Sequence, residues 1–235
     1  IDEGLVGSEM CIRDRSETHA YTIVIAAGDA TSSTAAELNS INSATSVAVN
    51  MNSVTALAAS SLTDLGTLAT AIGNSELSNG DNLTTVAVSD TSIAADTLAA
   101  RIDSYDTINA GGTTNMTLAS GATILVASTE ITHMLADETA SRLTISDQKI
   151  TVDSGTISAT TANLLAATTT GVVTADITTT ERITALDDLT ADGGTNALTI
   201  VISADDATAC TAAQLNTVNS ATSVAVNATA VTGLA

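Results

Sequence analysis

One histidine and two pairs of adjacent aspartates have side chains that could do acid–base or metal chemistry in this chain. His133 lies in Ile131-Thr-His-Met-Leu135, and the acid pairs are Asp187-Asp188 and Asp205-Asp206. A histidine can act as a general base or metal ligand, and paired carboxylates can cleave glycosidic bonds. No Cys, His, Asp or Glu set with metal-ligand spacing surrounds His133. We therefore interpret His133 as a partly exposed helix residue.

The second acid pair and the cysteine at position 210 fall in a stretch that occurs twice in the chain. Asp206 aligns with Asp29, whereas the acid beside it aligns with a glycine, so a turn or helix-cap role explains the pair more simply than catalysis. Cys210 aligns with Ser33, which favours a small buried residue over a reactive thiol. No Gly-x-Ser-x-Gly elbow or phosphate-binding loop is present. We predict no catalytic, cofactor-binding or metal-binding residues and no enzyme activity.

The stretch that occurs twice covers residues 21–58 and 198–235, which align without a gap at an offset of 177 residues. Of the 38 aligned positions, 26 are identical. Weaker copies lie between these two strong copies, and short apolar runs begin near Thr22, Ser46, Thr84, Met116, Leu143, Val172, Leu198 and Ser223. Similarity at a fixed period is typical of proteins in which each repeat packs only against its neighbours.

Each copy carries signals for a strand and for a helix. The runs at 22–25 and 199–202 are apolar on both faces, as buried parallel strands are. Thr34, Thr178 and Thr211 are each followed three residues later by Glu or Gln, which is the spacing of a capping box at a helix start. Strands that alternate with helices pair in parallel through right-handed crossovers. The sequence predicts an α/β fold, a right-handed solenoid of strand–helix repeats with a parallel sheet; tandem small β-sandwiches are the alternative.

Apolar residues at helical spacing predict which helix faces point inward. The longest stripe lies within residues 61–73, and Leu98 and Leu164 mark two further helices. Leu38 and Leu215 occupy matching places in the two strong copies, so we expect both to be buried.

The composition excludes several classes of partner. The net charge is −20, and residues 16–235 alone carry 22 acidic and 4 basic side chains, a net charge near −18. Such a chain repels nucleic acid and anionic membranes, and no apolar run approaches the roughly 18 residues of a membrane span. Aromatic residues make up 1% of the chain, without Phe or Trp. A core of small aliphatic side chains favours thin stacked repeats over a thick globular core.

The first fifteen residues differ in origin from the repeats. Residues 6–15 back-translate as GTG GGC TCG GAG ATG TGT ATA AGA GAC AGR, which resembles the transposase adapter of short-read sequencing libraries. We therefore assign residues 1–15 as a non-native segment, which removes Cys11 from the chemistry, and residues 16–235 as one continuous repeat array. An adapter at this position indicates a fragment from an assembled environmental read.

The repeated strings resemble those of a known class of bacterial protein. Ser-Ala-Asp-Asp-Ala-Thr-Ala at 203–209 and Thr-Ser-Val-Ala-Val-Asn at 222–227 are similar to repeats of giant secreted or cell-surface proteins, surface-layer-like or adhesin-like, of marine and cyanobacterial bacteria. The resemblance covers most of 20–235 and implies an extracellular or cell-surface location. The Gly-Gly-x-Gly-x-Asp calcium nonapeptide of many such proteins is missing from this sequence. We therefore predict no cofactor, and calcium binding would have no specific motif here.

The repeats, the acidity and the missing catalytic set favour a structural or adhesive spacer. Its partners would be neighbouring repeats of the same chain and cell-surface polysaccharide. A second hypothesis is a recognition module, because the chain has 43 threonines, and Thr22, Thr84 and Thr199 on predicted strands could bind ice or polysaccharide. A third is a polysaccharide-cleaving solenoid enzyme.

Overall fold

Residues 19–109, 112–190 and 195–235 are described by the computed structural model, so the segment 1–15 assigned as non-native lies outside the described residues. The chain divides into two compact units. The described part of the first unit comprises residues 19–86, 104–109 and 112–114, and that of the second comprises 87–103, 115–190 and 195–235. Both units combine helices with parallel strands, which confirms the predicted α/β class.

The first unit alternates short strands with helices. Its elements in chain order are α1 (Ala35–Ser43), β1 (Val49–Asn50), β2 (Ala56–Ser60), α2 (Leu62–Gly73), β3 (Leu77–Ser78) and β4 (Thr85–Val88, shared with the second unit). Strand β1 pairs in parallel with β3, and β2 lies hydrogen-bonded beside β4. Tyr105, from the part of the chain that returns to this unit, is fully buried and donates its hydroxyl to the Leu65 carbonyl at 3.1 Å.

The second unit is built around a five-stranded parallel sheet. Its elements in chain order are β5 (Ser92–Ala94), α3 (Ala95–Ile108, shared with the first unit), β6 (Asn115–Leu118), β7 (Thr123–Ala127), α4 (Ile131–Thr139), β8 (Leu143–Thr144), β9 (Lys149–Ser154), α5 (Ala159–Thr168), β10 (Val173–Asp176), α6 (Ile183–Leu186), β11 (Ala197–Thr199) and α7 (Ala212–Ser220). The sheet order is β11-β10-β9-β7-β5, and β6 pairs separately with β8 in parallel.

The register of this sheet places apolar side chains in one inward row. Ile93, Ile124, Ile150 and Val173 are aligned on four neighbouring strands, and each is at most 1% exposed. Burying an aliphatic side chain of this size contributes about 1.5–3 kcal/mol. The row is therefore a main source of the second unit's stability. Parallel pairing also differs from the antiparallel sheets of β-sandwiches, the alternative considered above.

The second unit has more strands than the sequence predicted. The expected runs near Met116 and Leu143 form β6 and β8, but β7 and β9 were not predicted. In β7 the buried Ile124 and Val126 alternate with partly exposed residues. A strand covered on one face alternates in this way. The search for wholly apolar runs therefore missed it.

The expectation of two-sided burial at 22–25 is wrong. Val24 forms only an isolated parallel bridge to Asn50 and is 60% exposed, whereas Ile25 is buried. The matching run in the second strong copy is partly a strand, since β11 ends at Thr199 and Val201 forms a bridge to Asn227. Successive side chains of an extended chain point to opposite faces, and here only one face is covered.

Two of the three predicted capping boxes are confirmed. The side chain of Thr34 accepts from the Glu37 amide, and that of Thr211 accepts from the Gln214 amide. In return, the side chains of Glu37 and Gln214 accept from the backbone amides of the two threonines. The box predicted at Thr178 is wrong, because helix α6 begins five residues later. The Thr178 amide donates to the Ile157 carbonyl at 2.9 Å, so this residue still pairs with a neighbouring extended segment.

Two leucines are more exposed than expected. Leu164 is 53% exposed and Leu165 is fully buried. The buried face of α5 consists of Ala159, Ala162 and Leu165, so Leu164 lies beside it. Leu38 is fully buried, but Leu215 keeps partial exposure. Helix α1 is covered by α2, whereas no helix follows α7 among the described residues.

The two strong copies nevertheless share their 3₁₀ turn, helix and isolated bridge at the 177-residue offset, although strands β1 and β2 of the first copy have no strand counterpart in the second. A 3₁₀ turn spans Ala27–Asp29 in the first copy and Ala204–Asp206 in the second. Helices α1 and α7 match residue for residue, as do the bridges at Val24 and Val201. The sequence repeat is thus also a repeat of local conformation.

Candidate functional site

His133 lies on α4 in the second unit, beside a buried carboxylate. Its side chain is 51% exposed, and its Nδ1 lies 3.7 Å from Asp137 Oδ2, which is longer than a hydrogen bond. Asp137 is 1% exposed and accepts a hydrogen bond from the Arg142 guanidinium. Arg142 also lies 3.9 Å from the Asp103 carboxylate on α3. The partly exposed position expected for His133 is confirmed.

The surroundings of Asp137 contain groups that oppose its ionisation and groups that favour it. Burial raises the pKa of the Asp137 carboxyl above its usual value, and the positive charges of Arg142 and His133 only partly oppose this shift. Arg142 follows the last turn of α4 and precedes β8. The ion pair therefore holds the end of this helix to the start of the next strand.

A small cavity adjoins this ion pair. Its volume is about 200 Å³, and apolar side chains of α3 and α4, including Leu98, Ile102 and Met134, make up most of its wall. Asp96, Glu130, His133 and Asp137 supply its ionisable groups. A nucleophile–base pair requires the base within about 2.6–3.2 Å of a hydroxyl or thiol. Among these four side chains, the Asp96 carboxylate accepts a bond from the Thr97 hydroxyl at 3.2 Å, but this contact joins two adjacent, exposed residues.

The two acid pairs have different roles. Asp206 is 1% exposed, and its Oδ2 accepts the Ile183 amide at 2.7 Å, which is the first amide of α6. Its Oδ1 accepts from Arg182 Nε at 2.8 Å. Asp205 is 77% exposed at its side chain and lies 3.8 Å from Arg182. Asp187 and Asp188 end α6 by backbone hydrogen bonds. Asp206 thus caps a helix of the preceding repeat, in line with the cap role expected for it.

Cys210 sits where the sequence placed a small buried residue. It is fully buried, and its thiol donates to the Asp206 carbonyl at 3.2 Å. Ser33 makes the equivalent bond to the Asp29 carbonyl at 3.1 Å. Burial raises the pKa of the Cys210 thiol, which disfavours the reactive thiolate.

Buried threonine hydroxyls connect neighbouring repeats, and sequence reasoning missed them. Thr45 donates to the Tyr21 carbonyl at 2.7 Å and accepts from the Val47 amide at 3.1 Å. Thr222 donates to the Leu198 carbonyl at 2.7 Å and accepts from Val224 at 3.1 Å. A buried hydroxyl that is fully hydrogen-bonded is tolerated in a core. The signal was present, because Ala-Thr-Ser-Val occurs at both positions in the chain.

Two helix asparagines provide further bonds between repeats. Asn39 on α1 donates to the Asp64 carbonyl on α2 at 3.0 Å, and Asn163 on α5 donates to the Asp188 carbonyl after α6 at 2.8 Å. Each asparagine lies four residues after the start of its helix, and each bond spans 25 residues. The same geometry is therefore used in both units.

The threonines on the outward sheet face do not form a continuous row. The aligned residues on the five strands are Ala94, Leu125, Thr151, Thr174 and Ala197. The sequence placed Thr22, Thr84 and Thr199 on strands, which is confirmed for Thr199 in β11 and wrong for the other two; all three are exposed. Within the described residues of the five-stranded sheet, threonines lie side by side in this row on β9 and β10 only.

Comparison of the chain with protein-family models, curated proteins and solved structures yields no match. Within residues 19–109, 112–190 and 195–235, no three His, Cys, Asp or Glu side chains are grouped so that they could hold a metal ion. No helix in that part of the chain has the length and apolar character to cross a membrane.

Proposed function

We propose that this chain is a structural or adhesive spacer within a large extracellular or cell-surface bacterial protein, folded as a right-handed solenoid of strand–helix repeats. The observation that supports it is a pair of matching threonine bonds. Thr45 and Thr222 lie 177 residues apart, and each donates its hydroxyl to a carbonyl of the extended segment that precedes it. A spacer depends on contacts that recur in every repeat.

The residues with chemical potential also support the proposal by the contacts they make. Asp206 caps a helix, Cys210 donates to a backbone carbonyl, and Asp137 pairs with an arginine. Each of these side chains stabilises the repeat in which it lies or the connection to a neighbour. Such interactions serve the length and stiffness of an array rather than a reaction at one position.

Recognition of ice or polysaccharide by the outward sheet face is the second candidate. Thr151 and Thr174 lie side by side on β9 and β10, which favours it. Leu125 and Ala197 flank this pair and interrupt the regular spacing that a crystalline or polymeric surface would match. We therefore place it behind the spacer function.

The purified full chain provides the test. It should cleave none of a panel of soluble and insoluble polysaccharides, it should not adsorb to ice, and any retention by a polysaccharide should persist in Thr151→Lys and Thr174→Lys. Retention that Thr151→Lys and Thr174→Lys abolish, with an unchanged melting temperature, would replace the proposal by the recognition module. Turnover of a polysaccharide would replace it by the enzyme hypothesis.

A further inference from the structure

The second strong copy exposes a surface that the first strong copy buries. Leu57 is 2% exposed, and its counterpart Leu234 is 60% exposed. Ala35 is fully buried, and its counterpart Ala212 is exposed. Three further pairs differ in the same way. The members in the first copy, Leu38, Val49 and Val54, are fully buried, and their counterparts Leu215, Val226 and Val231 are partly exposed. Two similar sequences with matching 3₁₀ turns and helices thus differ in what covers them.

Residues 59–83 cover the α1 and β1 part of this surface in the first copy. Ser60 Oγ accepts the Ala35 amide at 2.9 Å, which supplies a partner for the first amide of α1. The Val49 amide donates to the Glu76 carbonyl at 2.9 Å, at the point where β3 pairs with β1. Helix α2 packs against α1 with Leu62, Leu65 and Leu68 on its buried face. Strand, helix and hydroxyl act together in covering the first copy.

The second copy retains the groups that make these contacts. Ala212, Asn216 and Val226 are identical in type to Ala35, Asn39 and Val49. Asn216 is exposed, whereas Asn39 donates to the Asp64 carbonyl at 3.0 Å. We name the docking surface by its six members, Ala212, Leu215, Asn216, Val226, Val231 and Leu234.

We infer that the docking surface binds a strand–helix segment of the kind formed by residues 59–83. The inference rests on the proposed repeat function and adds the surface at which one repeat receives another and the chemistry of that partner. The partner carries a hydroxyl for the Ala212 amide, a strand-edge carbonyl for the Val226 amide, and a leucine-rich helix face against Leu215. Apolar contact with these leucines and valines supplies the main stabilisation, and the hydrogen bonds set the register.

A grafted chain tests the inference. Ala235 corresponds to Ala58, so residues 59–86 appended after Ala235 continue the second copy in register. In this extended full chain, amide hydrogen exchange at Ala212 and Val226 should slow by about tenfold or more relative to the unextended chain. Ala35 and Val49 in the same molecule report the native contact and serve as the internal reference.

Two control grafts separate specific docking from a tail effect. A graft in which Ser60 is replaced, Ser60→Ala, should lose the slowing at Ala212 and keep it at Val226. A graft of the same composition in scrambled order should slow neither amide. Unchanged exchange in the extended chain, with Ala35 and Val49 still protected, overturns the inference, as does equal slowing by the scrambled graft.

Self-association of the unextended chain is the competing occupant. Protection of Ala212 that rises with protein concentration would show a second copy on the docking surface and would overturn the assignment to a strand–helix segment. Failure of the proposed function has a different signature, because cleavage of a polysaccharide, or retention that depends on Thr151 and Thr174, leaves these exchange rates unchanged.

Discussion

At the scale of single residues, Asp206 and Asp205 differ although they are adjacent. Asp206 holds the Ile183 amide and Arg182 with a carboxylate that is 1% exposed, and Asp205 extends into solvent. Removing one partner from a buried, charged hydrogen-bonding set leaves the remaining groups without compensation. The two substitutions should therefore have unequal effects.

Asp206→Asn should lower the free energy of unfolding by about 2–4 kcal/mol, since the neutral amide lacks the charge that binds Arg182 and cannot accept at both positions. Asp205→Asn should change it by less than about 0.5 kcal/mol, as exposed substitutions do. Urea denaturation followed by circular dichroism measures both. Equal losses would show that the buried cap is not the stabilising group.

The second residue-scale prediction concerns pH and Asp137. Its pKa is raised in the folded state from the ordinary value of 3.8, so the folded protein binds more protons there than the unfolded chain. Stability contributed by this group is therefore present at low pH and lost as pH rises from about 3.8 through the raised pKa. Asp137→Asn should remove this loss.

Thermal melts of wild type and Asp137→Asn at stepped pH measure the effect as a difference in melting temperature. A parallel series in a His133→Gln background removes the titration of the facing histidine. Asp103→Asn is the matched control, because that carboxylate also faces Arg142 but its side chain is 62% exposed. A pH-independent difference between wild type and Asp137→Asn would contradict the assignment.

At the scale of elements, the capping boxes of α1 and α7 should contribute equally to stability. Thr34→Ala and Thr211→Ala should each lower the free energy of unfolding by about 1 kcal/mol, because each removes the acceptor of the third helix amide. Thr178→Ala, at the position wrongly predicted as a cap, is the control and should cost less than about 0.5 kcal/mol. Denaturation of the three variants under one condition decides it.

The two capping boxes also differ in a way that acid reveals. Hydrogen bonds from Thr34 lower the pKa of Glu37, so its contribution is present at neutral pH and lost as pH falls through that lowered pKa. Gln214 does not titrate. The cost of Thr34→Ala should therefore shrink in acid, while that of Thr211→Ala should not change for this reason.

The core leucines of the two matching helices should contribute unequally. Leu38→Ala should cost about 2–5 kcal/mol, the usual range for a fully buried leucine. Leu215→Ala should cost less than half as much, because its side chain is already partly in water. Equilibrium denaturation compares them directly. A loss at Leu215 as large as that at Leu38 would mean that the surface of α7 is covered in solution.

At the scale of the whole molecule, the net charge of −20 makes the folded chain repel itself. Salt screens exposed charges within a Debye length of about 10 Å at 0.1 M. We therefore expect the melting temperature to rise with sodium chloride, and calcium at matched ionic strength to add little beyond screening. A large shift with millimolar calcium alone would show a specific oxygen-ligand site.

Much of the fold follows from local sequence. The α/β class, the inward helix stripe at 61–73 and the caps at Thr34 and Thr211 depend on residues within one turn of each other, and these were predicted. The strands β7 and β9 were missed because one-sided burial gives alternation rather than an apolar run. The role of Cys210 was predicted because the alignment with Ser33 already contained it.

The candidate site was harder to predict, because its contacts join residues far apart in the chain. Nothing local to Ile183 indicates that Asp206, 23 residues later, caps its helix. The threonines at 45 and 222 could have been singled out only because both copies carry them. The burial of Asp137 likewise depends on tertiary packing, which sequence spacing does not specify.

The sequence by itself determined the period, the acidity and the local conformation, because each depends on composition or on neighbours within a few residues. The tertiary structure decided which of the matching elements in the two strong copies are covered by other parts of the chain. Leu57 and Leu234 occupy the same place in matching copies, yet one is 2% exposed and the other 60% exposed. Whether a side chain is buried depends on the surface that packs against it as well as on the side chain itself. Contacts between residues about 25 positions apart are set by tertiary packing and not by the local sequence pattern.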